Sequence, residues 1–154
     1  MATVYRLQKI KHNPTTLSGE GARLLGGRWN EPGTPLVYTS STSSLTILEL
    51  RVHLGKLPLV KSPPLNIVTF KIPDECIHDF ALNDLPFGWN TIPVDSRIQQ
   101  FLKPMLQSNH AQAYSVPSVI NPLERNILIN PEHPEIGRVK IDRFDLIVMD
   151  DRLF

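Results

Sequence analysis

The chain has 154 residues, 41% of them hydrophobic, which is enough for one domain with a sizeable core and too little for two. Its formal net charge is only +1, with sixteen basic residues scattered among fifteen acidic ones, and this argues against direct nucleic-acid binding driven by phosphate contacts. The single cysteine, Cys76, allows no internal disulfide, no Cys/His spacing suits a structural zinc site, and neither a membrane-spanning run nor an apolar signal core is present; a reducing cytoplasm is the expected location.

Fourteen prolines exclude long helices nearly everywhere, so an α+β domain of short strands and turns is expected across residues 1–154. Val4 to Ile10 reads as a strand, and His12 to Gly27 as a glycine-bearing loop. Tyr38 lies in a β-branched and aromatic run bounded by Pro35 and a serine-rich turn, which predicts a second strand. The Ser40 to Ser44 segment supplies N-caps for a helix over about Leu45 to Leu54. Pro63-Pro64 then introduces a strand from Leu65 to Ile72, closed by Pro73. Leu85 to Asn90 reads as an ordered loop, and Asp95 caps a second helix through about Gln107 that Pro104 must bend or shorten. Ala113 to Val116, Ile127 to Asn130, Val139 to Ile141 and Asp145 to Met149 complete the expected strands.

Chemistry concentrates between Gly26 and His53. Gly26 and Gly27 let the backbone take positive φ and approach a ligand, and Arg28 offers a planar fork of donors suited to phosphate. Tyr38 can present a ring for stacking. On the Glu49 helix, Leu45 and Val52 fall to one side of the carboxylate and Thr46 and His53 to the other, while Arg51 points away. Glu49 should therefore be partly buried, where it needs either a structural partner, such as His53 or an arginine, or a catalytic purpose. Ser118 follows a proline-fixed strand end; a turn role outweighs a site role on this signal alone, and the missing glycines exclude a nucleophile elbow. The scattered histidines lack metal-ligand spacing, Glu132 and His133 read as a turn pair, and Trp29 and Trp89 read as packing residues.

Taken together, Gly26-Gly27-Arg28-Trp29-Asn30 with Gly33 and Pro35, Tyr38, Leu48-Glu49 to Val52-His53, Val116-Pro117-Ser118 and Ile129-Asn130-Pro131-Glu132-His133-Pro134 resemble the RES-domain toxins of bacterial RES–Xre toxin–antitoxin systems. The likeness covers nearly the whole chain and departs from the family before Ser118, where Gln107 to Ala113 lacks the usual Gly-Asp and tryptophan. The resemblance implies a fold similar to that of ADP-ribosyltransferase (diphtheria-toxin-like) proteins, with a short-stranded mixed sheet and flanking helices. It further implies NAD as substrate, no resident cofactor or metal, an Xre-like antitoxin partner, and a bacterial cytoplasmic setting in which a homodimer can also form. By residue-for-residue carry-over, Arg28, Tyr38, Glu49 and Ser118 occupy catalytic and NAD-binding positions, with Gly27 and Asn30 beside them. Arg28 would hold the pyrophosphate, Tyr38 would stack on nicotinamide, Glu49 would offset a ribosyl cation, and Ser118 would orient the ligand or Glu49.

Ile47 stands where many arginine-directed ADP-ribosyltransferases carry a second acidic or amide residue, which favours NAD glycohydrolase action over transfer to a protein. A non-enzymatic nucleotide- or peptide-binding module remains the alternative of another class. An RNA-cleaving toxin is disfavoured by the charge balance and by the absence of a suitable His/His or His/Glu dyad.

Overall fold

The computed structural model describes residues 1–55 and 64–153. Among them, seven strands form one mixed sheet in the order β4-β5-β6-β2-β1-β3-β7, where β1 is Ala2–Lys9, β2 Val37–Ser40, β3 Leu65–Ile72, β4 Ile77–Asp79, β5 Ala113–Pro117, β6 Arg125–Ile129 and β7 Lys140–Ile147. All neighbours are antiparallel except β4 and β5. The helices are α1 (Glu20–Leu25), α2 (Ser43–Leu54), α3 (Ser96–Gln100) and α4 (Lys103–Gln107).

Residues on alternate faces of the sheet build two cores, as the period of a strand requires. On one face Leu36, Tyr114 and Leu128 pack with Ile98, Leu102 and Leu106 of the α3–α4 segment. On the other, Val4, Val37, Val68, Phe70 and Ile129 enclose Cys76, a free buried thiol.

Three expectations need correction, and one strand lies where none was expected. The loop expected from His12 to Gly27 contains a 3-10 helix over Ile10–Thr15 and then α1, whose six residues begin after Gly19 at φ 66° and end at Gly26 at φ 72°. The flanking glycines that argue against helix thus serve as its stops. Pro104 divides the second expected helix in two, because it is accommodated in the first turn of α4 where its missing N–H costs nothing. The two expected terminal strands are one, β7, in which a register shift opposite Thr69 and Phe70 absorbs Asp142. The parallel strand β4 went unforeseen: three residues, Ile-His-Asp, carry no readable alternation. Pro63, expected to help introduce β3, lies outside the described residues.

One feature of the ladder positions the site. β1 pairs with β3 along eight residues but with β2 only through Tyr5 and Ser40. Past that rung the strands part, and the Leu7 N–H, left without a strand acceptor, donates instead to Thr46 Oγ1 of α2 at 3.1 Å. Thr42 caps α2 by accepting from the Leu45 N–H at 3.1 Å. Leu45 and Thr46 are buried, but Val52 is 56% exposed, so the apolar stripe expected along the helix holds only at its N-terminal half.

A candidate active-site cleft

Where β1 and β2 part, a cleft of about 680 Å³ opens, a volume typical of small-molecule sites. Arg28, Tyr38, Glu49 and Gly27 all line it, together with Arg6 and Asn126. Ser118 and Asn30 do not line it; both are buried beside it and act on residues that do.

The Gly26 to Asn30 segment is a tight turn closed by a bridge between Gly27 and Asn30, whose carbonyl accepts from the Gly27 N–H at 3.0 Å. Trp29 is driven into the core, tilted against Phe101. Arg28 Nη1 donates to the carbonyls of Trp89 at 3.0 Å and Thr91 at 2.8 Å, so the loop through Leu85 to Asn90 is ordered onto this guanidinium. Burial lowers the Arg28 pKa, with Glu49 and Tyr38 opposing the shift through their charge. Gln99 Nε2 of α3 donates to the Gly27 carbonyl at 3.0 Å.

Tyr38 is fixed at its tip. Its hydroxyl donates to Asn30 Oδ1 at 2.6 Å and accepts from the Trp29 N–H at 3.0 Å, and burial pushes its pKa well above the ordinary phenol value. Asn30 in turn donates to the carbonyls of Ala22 and Thr34, tying α1 and the following loop to Tyr38. Only Gly26 of the two glycines has positive φ, which corrects the expectation for Gly27. Gly27 is required for a different reason: a Cβ there would stand 2.5 Å from Tyr38 Oη and 2.8 Å from Cζ.

A prediction follows from that contact. Gly27→Ala should displace Tyr38 and cost about 1–3 kcal/mol of stability, read as a lowered Tm. Removing the nearer obstacle with Tyr38→Phe should make the double variant lose less than the sum of the singles. Strict additivity would show that the two residues do not press on each other.

Glu49 is half-buried, as its helical position predicts, but its partners are not those expected of a structural ion pair. Oε1 accepts from Ser118 Oγ at 3.2 Å and from Asn126 Nδ2 at 3.1 Å, while Oε2 has no hydrogen-bond partner among the described residues. Neither His53 nor an arginine lies in ion-pair contact with it among those residues. Ser118 is fully employed: it donates to Glu49 and accepts from the amides of Ile120 and Asn121 at 3.1 and 3.2 Å. Two neutral donors thus hold one carboxylate oxygen, and the other has no partner among the described residues. Asn126, close after Ser118 in the chain, completes this group, a role that its sequence context alone does not assign.

Arg6 was missed as well. The side chain is half-buried, its Nε is wholly buried without a hydrogen-bond partner, and burial lowers its pKa. Among the described residues no carboxylate compensates it. A half-buried cation whose Nε is wholly buried and unpartnered is costly in the empty protein. The sequence signal was faint: an arginine in a strand whose alternation otherwise looks ordinary.

The class defined by this fold and site is an α+β protein with a mixed sheet, flanking helices, and a cleft bearing two arginines, a tyrosine and an oriented carboxylate. The chain belongs to the RES-domain family, whose model matches residues 3–150. A Prs ADP-ribosylating toxin of Sphingobium sp. (strain YBL2) is 38% identical over 142 residues, covering 89% of this chain and 86% of that relative. A Toxin Res of Photorhabdus laumondii is 33% identical and covers 89% of each chain; one of Pseudomonas putida is 33% identical, covering 90% of this chain and 92% of the relative. Among solved structures, the Mycobacterium tuberculosis MbcT-MbcA toxin-antitoxin complex contains a chain with the same fold, with a TM-score of 0.74 over 95% of this chain and 84% of that one, at 18% identity.

Proposed function

We infer that the chain is the toxin of a toxin–antitoxin pair and that it degrades NAD by cleaving the bond between nicotinamide and ribose. The observation that carries this reading is the uncompensated Arg6 in the same cleft as Arg28 and the free Glu49 oxygen. Two cations suit the negative diphosphate of a dinucleotide, and a carboxylate suits the positive charge that grows on the ribose as nicotinamide departs.

In this reading Arg6 and the donors that Arg28 retains bind the diphosphate, and Tyr38 packs on the nicotinamide ring. Glu49 Oε2 faces the ribosyl cation while Ser118 and Asn126 hold Oε1. The carbon–nitrogen bond breaks with its electron pair going to nicotinamide, and water adds to the ribose carbon and releases a proton. Water is favoured as acceptor because Ile47, two residues before Glu49, offers no group to engage a protein side chain. The name of the Sphingobium relative supports a second reading, in which a protein accepts the ADP-ribosyl group from the same intermediate.

Incubating the purified, antitoxin-free chain with NAD should yield nicotinamide and free ADP-ribose in equal amounts, measured by chromatography. Nicotinamide release matched by label retained on protein would instead establish transfer. Unchanged NAD after prolonged incubation with folded chain would reject both.

A further inference from the structure

Two histidines that stand 32 residues apart in the chain meet at the β4 end of the sheet. His78 is the half-buried middle residue of β4, and His110 is exposed in the Gln107 to Ala113 segment where the chain departs from the family pattern. His78 Nδ1 and His110 Nε2 are 3.2 Å apart, with the two rings crossed at 75°. Both rings are held from behind. That of His78 sits edge-on to Phe80, the centroids 4.5 Å apart, and the pairing of β4 with β5 sets His78 beside Tyr114. The His110 N–H donates to the Met105 carbonyl, and the next amide, that of Ala111, donates to the Tyr114 hydroxyl. That hydroxyl itself donates to the Met105 carbonyl, so one buried tyrosine braces the backbone on both sides of the pair.

Facing imidazole nitrogens can share a proton or a metal ion. Two imidazoles bound about 2.0–2.1 Å from one zinc ion at the tetrahedral angle stand about 3.3–3.4 Å apart, close to the separation of this pair. Ligands ordered in advance also spare an incoming ion the entropic cost of gathering them. Asp79, next to His78, falls on the other face of the strand and is engaged by Arg125 at 2.7 Å, so it does not draw the pair into an ion pair. No third histidine, cysteine or carboxylate joins the two among the described residues, which leaves water to fill the remaining coordination positions. Neither histidine lines the cleft, so the pair is separate from the proposed NAD site.

We propose that His78 Nδ1 and His110 Nε2 chelate one divalent transition-metal ion, of the zinc, nickel and copper group that imidazole suits. The ion ties β4 to the connection between α4 and β5. The test is calorimetric titration of the full chain with zinc chloride near neutral pH, paired with thermal unfolding. The wild-type chain should bind an ion that His78→Ala and His110→Gln each fail to bind, and zinc at about 100 times its Kd should raise Tm by roughly 5–10 °C. His110→Gln is the sharper of the two variants. It keeps a hydrogen-bonding group beside His78 and removes the imidazole, so Tm without zinc should hold while the rise with zinc disappears. No saturable binding up to millimolar zinc overturns the proposal and leaves the pair as a hydrogen bond. Zinc binding that survives both substitutions overturns it as well, by placing the ion elsewhere, for example at Glu49 and His53, one turn apart on α2.

Discussion

Replacing Glu49 by Gln should lower kcat for NAD cleavage about 10²-fold, corresponding to roughly 3 kcal/mol of lost transition-state stabilisation, with little change in KM. The geometry gives the reason. Ser118 Oγ and Asn126 Nδ2 both donate to Oε1, so a glutamine must keep its carbonyl oxygen there to satisfy them. Its amide nitrogen then occupies the place of Oε2 and turns donor hydrogens towards the ribosyl cation. The variant retains the packing and the hydrogen bonds but reverses the sign of the field where the charge develops. Steady-state kinetics of folded protein would check it; a loss confined to KM would mean that Glu49 only helps to hold substrate.

The second large effect concerns Arg6. Arg6→Met keeps most of the side-chain volume while removing a half-buried charge that has no counterion among the described residues. It should raise KM for NAD about 10- to 100-fold, the value of a hydrogen bond to a charged group, and at the same time raise the Tm of the ligand-free chain. Arg28→Ala should differ in the second measurement. It too should weaken binding, but it also removes the anchor for the Trp89 and Thr91 carbonyls and should lower Tm. If Arg6→Met lowers Tm as Arg28→Ala does, Arg6 is a structural residue and the anion site lies elsewhere.

The sequence made the local features legible and the long-range ones only in part. Leu65 to Ile72 is a strand with the expected limits because its β-branched run is bounded by prolines, and α2 is capped within the expected serine-rich segment because capping is a local bond. Arg28, Tyr38 and Glu49 line one cleft, since a short stretch carries all three through one turn, one strand and one helix. Arg6 and Asn126 escaped because their importance arises from strand order: β1 lies beside β2, and β6 on its other side, for reasons that no local window contains. Gly27 was noticed for the wrong property, its backbone freedom, when what matters is the space that Tyr38 occupies.

The single rung between Tyr5 and Ser40 has a mechanical meaning for the molecule. The sheet is two ladders, β7-β3-β1 and β2-β6-β5-β4, hinged at one point and braced by α2. The aperture between them is set by where backbones diverge, so its width belongs to the main chain and not to the size of any lining side chain. Substitutions at Leu7 or Thr39 can roughen the walls, but only a second rung could shut the opening. Such an opening keeps its span when the side chains at its mouth are exchanged.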